Sequence, residues 1–307
     1  MDHPLITVVG GSGFLGRYVI RRLVQSGYRV KVLCRDTIVA QSLKPMGDVG
    51  QIAIEYADIT TPETLKSKLK GSFAVINLVG ILYESSGQSF KTVQTTGLEQ
   101  LAEEAKRCGV KRFIHVSALG VDQCESSHYA RSKMAGENSL RKIWPKATIL
   151  RPSVIFGPED NFFNKFAQIA AISPALPAIG GGHTKFQPIY VDDVALAILH
   201  ALENPKSQGQ LYELGGPEVI SFGNLLRYIA ASINRMRCLI SVPFLVARLL
   251  GRLMQLLPKP PLTADQVQLL KHDNVVSQSA LTIQHLGITP VSFRAIVPRY
   301  LSYLKSN

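Results

Sequence analysis

An apolar run, Leu5–Val9, leads without a break into Gly10-Gly11-Ser12-Gly13-Phe14-Leu15-Gly16. Beyond it, Leu15, Val19, Leu23 and Val24 keep the 3.6-residue spacing of an amphipathic helix. A strand that turns into a helix over spaced glycines constrains the fold more than anything else in this chain. The glycines permit unusual φ, close backbone approach to a pyrophosphate, and tight packing of helix on strand. The helix start offers free N–H groups and a partial positive charge to the phosphates. The loop therefore predicts a bound dinucleotide, with Gly10, Gly13, Phe14, Leu15 and Gly16 around its phosphates.

The alternation continues through the first half. Leu5–Val9, Arg29–Cys34, Ile52–Tyr56, residues 74–79, Arg112–Val116 and residues 148–150 read as strands. Leu98, Leu101, Ala102 and Ala105 share a helical face. Strand–helix alternation predicts a doubly wound parallel α/β sheet (a Rossmann domain) with helices on both faces and ligand beyond the carboxyl ends of the strands. After Pro152 the pattern loosens. Residues 173–182, rich in Pro and Gly, read as a loop, 186–191 as an extended segment, and 192–202 as a helix that Asp192 and Asp193 would N-cap. The expected division is an NAD(P)-binding domain over 1–205 and a smaller, basic C-terminal lobe over 206–307.

With 46% hydrophobic and 18% charged residues, the chain is not disordered. It contains no apolar run of ~18 residues that would span a bilayer, and the first apolar run meets the glycine loop too soon to be a leader peptide. The four cysteines and seven histidines show no metal-ligand spacing. A reducing, cytoplasmic setting without a metal is expected. The net charge of +12 is uneven: from Ala231 onward nine Lys and Arg face two acids. Without a basic run interleaved with aromatics, this surplus suits a membrane surface or a protein partner rather than nucleic acid. Residues 242–257 (VPFLVARLLGRLMQLL) place Arg248, Arg252 and Gln255 on one stripe of an otherwise apolar helix. Such a helix lies in a membrane interface or on a respiratory partner, or it packs in the core with its arginines snorkelling outward.

Coenzyme choice rests on Arg17, Arg35 and Asp36. Arginine at the end of the second strand pairs with a 2′-phosphate, whereas an acid hydrogen-bonds a ribose 2′-hydroxyl. The two arginines favour NADP(H), and Asp36 leaves NAD(H) open.

Further stretches carry a resemblance. Asp58-Ile59, Tyr129-Ala-Arg-Ser-Lys133, Arg151-Pro-Ser-Val-Ile-Phe-Gly157 and Tyr190-Val-Asp-Asp193, with the glycine loop, resemble the extended and atypical short-chain dehydrogenase/reductases over about residues 4–215. Within them, RPSVIFGPEDNFFNKFA (151–167), GFLGRYV (13–19), FIHVS (113–117) and QPIYVDD (187–193) are similar to the nucleotide-binding accessory subunit of respiratory complex I and its bacterial relatives. That branch also includes proteins tied to ubiquinone biosynthesis.

The resemblance implies that Asp58, Ile59, Leu78, Val79, Gly80, Pro152 and Val154 line the coenzyme. It implies that Tyr129 and Lys133 contact the nicotinamide ribose, with Tyr129 as proton donor and Lys133 lowering its pKa in an active enzyme. The usual serine of the fifth strand falls on Ala118, with Ser117 one position earlier. Ser117 is thus the catalytic candidate, and its offset leaves two readings: an NADP-dependent oxidoreductase, or a protein that keeps the pair only to hold its coenzyme. The function implied is a complex I accessory-subunit type of NAD(P)H-binding protein, in respiratory-chain assembly or quinone metabolism at the inner face of a bacterial cytoplasmic membrane. The rival is a soluble nucleotide-sugar epimerase, dehydratase or reductase.

Overall fold

The computed structural model describes residues 4–85, 87–258 and 260–304. Its main sheet contains β1 (Leu5–Val9), β2 (Arg29–Cys34), β3 (Ile52–Tyr56), β4 (Ser72–Asn77), β5 (Arg112–Val116) and β6 (Thr148–Pro152). They run in the order β3-β2-β1-β4-β5-β6, extended past β6 by Leu211–Leu214 and Leu281–Thr282, and every pairing is parallel. The order reverses between β1 and β4, so the loops at their carboxyl ends diverge and leave a crevice there. The expected doubly wound sheet is what forms; the fourth strand starts two residues earlier than the apolar run suggests.

The strands read as continuous apolar runs because both faces are covered. Ile6, Val8, Val30, Val32, Ile76 and Ile114 pack under the helices Phe14–Gln25 and Val191–Glu203. The alternate residues Val9, Leu33, Val75, Phe113 and Ile149 pack under Gly97–Arg107 and His128–Ile143. The pleat thus sorts one run of residues into two cores.

A further core gathers Phe156, Phe163, Leu176, Phe186, Phe222, Leu226, Val267 and Phe293. The chain enters and leaves it several times. Helix Phe163–Ile172 lies in this core although it precedes residue 205, while Leu211–Leu214 and Leu281–Thr282 return to the main sheet although they follow it. The expected division at 205/206 therefore does not follow the packing: the smaller lobe is interleaved with the sheet. Residues 173–182 also differ from the loop expected of them. Ala175–Ile179 is a strand paired in parallel with Cys238–Val242, a partner some sixty residues away that local sequence cannot reveal.

Candidate functional site: a dinucleotide groove

Gly10 ends β1 at φ 79°, a left-handed conformation that glycine adopts without strain, and its N–H donates to Leu33 O at 2.9 Å. Gly13 caps helix Phe14–Gln25 and brings no side chain to its first amides, and the first turn carries no acid. Those N–H groups and the helix dipole are left for an anion. A Cβ on Gly16 would stand 2.3 Å from Gly11 O, so only glycine lets this helix lie so close to the loop. The loop fits a diphosphate.

Next to it opens a cavity of about 240 Å³ lined by Gly10, Ser12, Gly13, Cys34, Arg35, Asp58, Ile59, Thr60, Leu78, Val79 and Gly80, among others. Arg35 is exposed at its rim. Asp36 is occupied elsewhere: its carboxylate caps helix Thr37–Ala40, accepting from Ile38 N at 3.0 Å and Val39 N at 2.9 Å. Asp58 is held in place by Thr60, whose N–H and hydroxyl both donate to Oδ1 at 2.8 and 2.7 Å.

At the far end of the groove, Tyr129 and Lys133 stand one turn apart on helix His128–Ile143. Lys133 is buried; its Nζ donates to Val116 O at 3.3 Å and reaches within 3.0 Å of where a Cβ on Gly80 would sit. Gly80 thus makes room for the ammonium beside the cavity. Burial brings the lysine down to about 8 against the pull of Glu137. Tyr129 moves the other way: burial, with the Asp265 carboxylate adding to it, raises its hydroxyl to about 12. This shift is opposite to the lowering expected of an activated proton donor.

Ser117 continues the β5 ladder by donating its N–H to Leu150 O at 2.8 Å, so strand alternation puts it on the His115 side. Both side chains are buried, and His115 lies close enough to Lys133 for the ammonium, after burial itself, to lower the imidazole pKa. Ser117 Oγ and His115 Nε2 are buried polar atoms without a partner among the described residues. Orphaned buried polar atoms cost about 1–3 kcal/mol each. This end of the groove therefore suits a polar group held next to Lys133.

Over residues 6–215 the sequence matches the NAD dependent epimerase/dehydratase family. The chain belongs to that family. Its relatives include the mitochondrial NADH dehydrogenase [ubiquinone] 1 alpha subcomplex subunit 9 of Arabidopsis thaliana, 35% identical over 307 residues, covering 96% of this chain and 76% of that protein. They also include the ceramide reductase of Caulobacter vibrioides, 33% identical over 201 residues, 66% of this chain and 62% of that one. Among solved structures, DesIV, a dTDP-glucose 4,6-dehydratase of Streptomyces venezuelae with NAD bound, superposes with a TM-score of 0.75 at 20% identity, covering 97% of this chain and 96% of that one. The fold is shared, and membership of the family makes this chain a nicotinamide dinucleotide binder.

Of the residues singled out from sequence, Gly10, Gly13, Arg35, Asp58, Ile59, Leu78, Val79 and Gly80 line the cavity, whereas Phe14, Leu15, Gly16, Arg17, Ser117, Tyr129, Lys133, Pro152 and Val154 stand outside its lining. Pro152 ends β6, and Val154 packs towards the second core. Ser12, Cys34 and Thr60 line it without having been singled out; each neighbours a motif residue, which is the signal available. Asp192 and Asp193 do not cap. The helix begins at Val191, before them, so they sit in its first turn: Asp192 pairs with Arg22 (Nε to Oδ1 2.9 Å), and Asp193 accepts from Val291 N at 2.7 Å.

Of the readings open for residues 242–257, the structure rules out the core helix. Helix Phe244–Met254 buries Ala247 and Gly251 and exposes Leu245, Val246, Leu249, Leu250 and Leu253, followed by exposed Leu256 and Leu257. Arg248 and Arg252 are exposed on the same helix. Among the described residues no helix is long and apolar enough to cross a membrane.

Proposed function

We propose that this chain holds NADP(H) in its groove while resting on the inner face of a bacterial cytoplasmic membrane, as an accessory protein of the respiratory chain or of quinone metabolism. The observation that carries the reading is the helix Phe244–Met254, with Leu245 80% exposed and Leu256 just beyond it 85% exposed. A contiguous apolar face of this kind marks an interaction surface rather than ordinary exposure. No acid lies between Ala231 and Asp265 in the sequence, while Arg235, Arg237, Arg248 and Arg252 do, so the charge complements anionic headgroups. The complex I subunit relative supports the respiratory setting, and the apolar face is the element through which such an association would be made.

In this reading Tyr129 and Lys133 hold the nicotinamide ribose, and Ser117 and His115 meet polar groups beside it. Arg35 pairs with a 2′-phosphate, because the acid that would read a 2′-hydroxyl is spent on a helix cap. Bound nicotinamide supplies a hydride reservoir. Whether that hydride is passed on is the second reading: an oxidoreductase with Tyr129 as proton donor, favoured by the intact Tyr129/Lys133 spacing and by the reductase relative. Flotation with anionic liposomes at low salt, together with identification of the small molecule released on denaturation, tests the proposal. Co-flotation and NADP(H) support it. A protein that stays at the bottom of the gradient overturns the membrane role, and a sugar nucleotide in the groove supports the soluble epimerase or dehydratase instead.

A further inference from the structure

The helix that carries the exposed leucines is linked to Tyr129. On its buried side, Gly251 lies against the start of helix Ala264–Leu269: a Cβ there would stand 2.7 Å from Ala264 N and 2.8 Å from Thr263 C. With no side chain between them, the two backbones are in contact, and displacement of one helix displaces the other. Thr263 and Gln266 form a capping box that fixes the first turn of the second helix, and Asp265 projects from that turn.

Asp265 does not serve its own helix. Its carboxylate accepts from Ser127 Oγ at 2.8 Å, His128 N at 2.7 Å and Tyr129 N at 3.1 Å. These are the N-cap hydroxyl and the first two amides of the helix that carries Tyr129 and Lys133. Ser127 Oγ takes Ala130 N and Ser127 O takes Arg131 N, so Asp265 completes the first turn. Nearby, Leu269 packs on Val121, Cys124 and Ala130, which holds the same two elements together.

We infer that Asp265 is a positioning residue through which an anionic lipid surface on helix Phe244–Met254 acts on the Tyr129 end of the coenzyme groove. The inference rests on the membrane reading above and adds a coupling to it. A lipid surface that orders helix Phe244–Met254 fixes Gly251 against Ala264. That contact holds Asp265 on the first turn of the Tyr129 helix and keeps the nicotinamide end formed. Coupling between two sites is reciprocal, so coenzyme in the groove must tighten lipid binding by the factor with which lipid tightens coenzyme binding.

The full chain is titrated with NADPH alone and on vesicles of phosphatidylcholine containing phosphatidylglycerol, and its vesicle binding is measured with and without NADPH. Each ligand tightens the other by about fivefold or more, the lower end of ordinary coupling. Asp265→Asn still binds both, but its mutual effect falls to less than about twofold. It also lowers the pH at which Tyr129 ionises, read as the ultraviolet difference between each protein and its Tyr129→Phe counterpart. Unfolding would expose Tyr129 and lower that pH as well, so the comparison is confined to pH values at which circular dichroism shows both proteins folded. Floating protein that binds NADPH with no mutual effect overturns the coupling alone. So does an Asp265→Asn protein in which the coupling persists. A protein that never floats overturns the membrane reading and the coupling together.

Discussion

Arg151 and Glu137 meet in a two-point ion pair, Nε to Oε1 at 2.9 Å and Nη2 to Oε2 at 2.8 Å, with side chains 4% and 1% exposed. Arg151 leaves the sheet at β6, and Glu137 stands one turn beyond Lys133 on the helix of the candidate site. The pair fixes the rotation of that helix about its axis, and with it the direction of Lys133 and Tyr129. Removing one partner strands a buried charge. Arg151→Met is therefore expected to cost about 3–5 kcal/mol in urea denaturation. The double change Arg151→Met, Glu137→Leu removes both charges at similar volume and is expected to recover most of that loss.

Gly16 and Gly13 sit in one loop but answer to different demands. A methyl on Gly16 would enter the Gly11 backbone, which cannot move without shifting helix Phe14–Gln25 from β1. Gly16→Ala is expected to lower stability by about 1–3 kcal/mol. At Gly13 the nearest atom to an added Cβ is Gly10 O at 3.4 Å, an ordinary contact, and the residue is exposed in the cavity wall. Gly13→Ala is expected to melt like the parent while binding NADPH about tenfold more weakly, equivalent to about 1.4 kcal/mol. Calorimetric melting beside coenzyme titration separates the two; equal effects in both variants would refute the division of roles.

Most of the main sheet was legible because its strands, buried on both faces, print as apolar runs that need no distant information. The glycine loop was legible for the same reason: strand, turn and helix are adjacent in the chain. What escaped depends on long-range pairing. The two residues of Leu281–Thr282 become a strand only because Leu211–Leu214 is there to meet them. Ala175–Ile179 hides behind Pro174, Pro177 and Gly180. Asp265 lies 136 positions from Tyr129, and no local pattern says whose amides it will cap. The acid pair at Asp192 misled because a cap and a first-turn ion pair favour the same residue types.

Lys133 gives the fold a particular pH dependence. In the folded chain it loses its proton near pH 8, whereas the unfolded chain keeps that proton to the ordinary value of 10.5. Over that window the unfolded state binds more protons, so stability rises with pH; below it the ammonium is buried at a cost on the order of 3 kcal/mol. Tyr129 acts in reverse. Folded, it holds its proton to about 12 rather than 10, so its contribution is intact below pH 10 and is lost as pH climbs towards 12. Thermal melts are expected to show stability climbing from about pH 8 and turning over above about pH 10. Lys133→Met should raise stability at neutral pH and abolish the climb. A climb that survives the substitution would place its origin in another group.

The proposed preference for NADP(H) rests on Arg35. It stands at the rim of the cavity, while the neighbouring carboxylate of Asp36 is turned onto Ile38 N and Val39 N. An exposed guanidinium with no carboxylate competing for it pairs with a phosphate and gains little from a hydroxyl. Arg35→Ala is expected to weaken NADPH by about 1.5–3 kcal/mol, roughly tenfold to a hundredfold, and to leave NADH nearly unchanged. Isothermal titration with each coenzyme measures both effects. Equal losses for NADPH and NADH would mean that Arg35 touches a part the two molecules share, and the preference would then have to come from elsewhere in the groove. Asp36→Ala provides the complementary test: it should destabilise helix Thr37–Ala40 by about 1 kcal/mol through the lost cap, without weakening NADH beyond that.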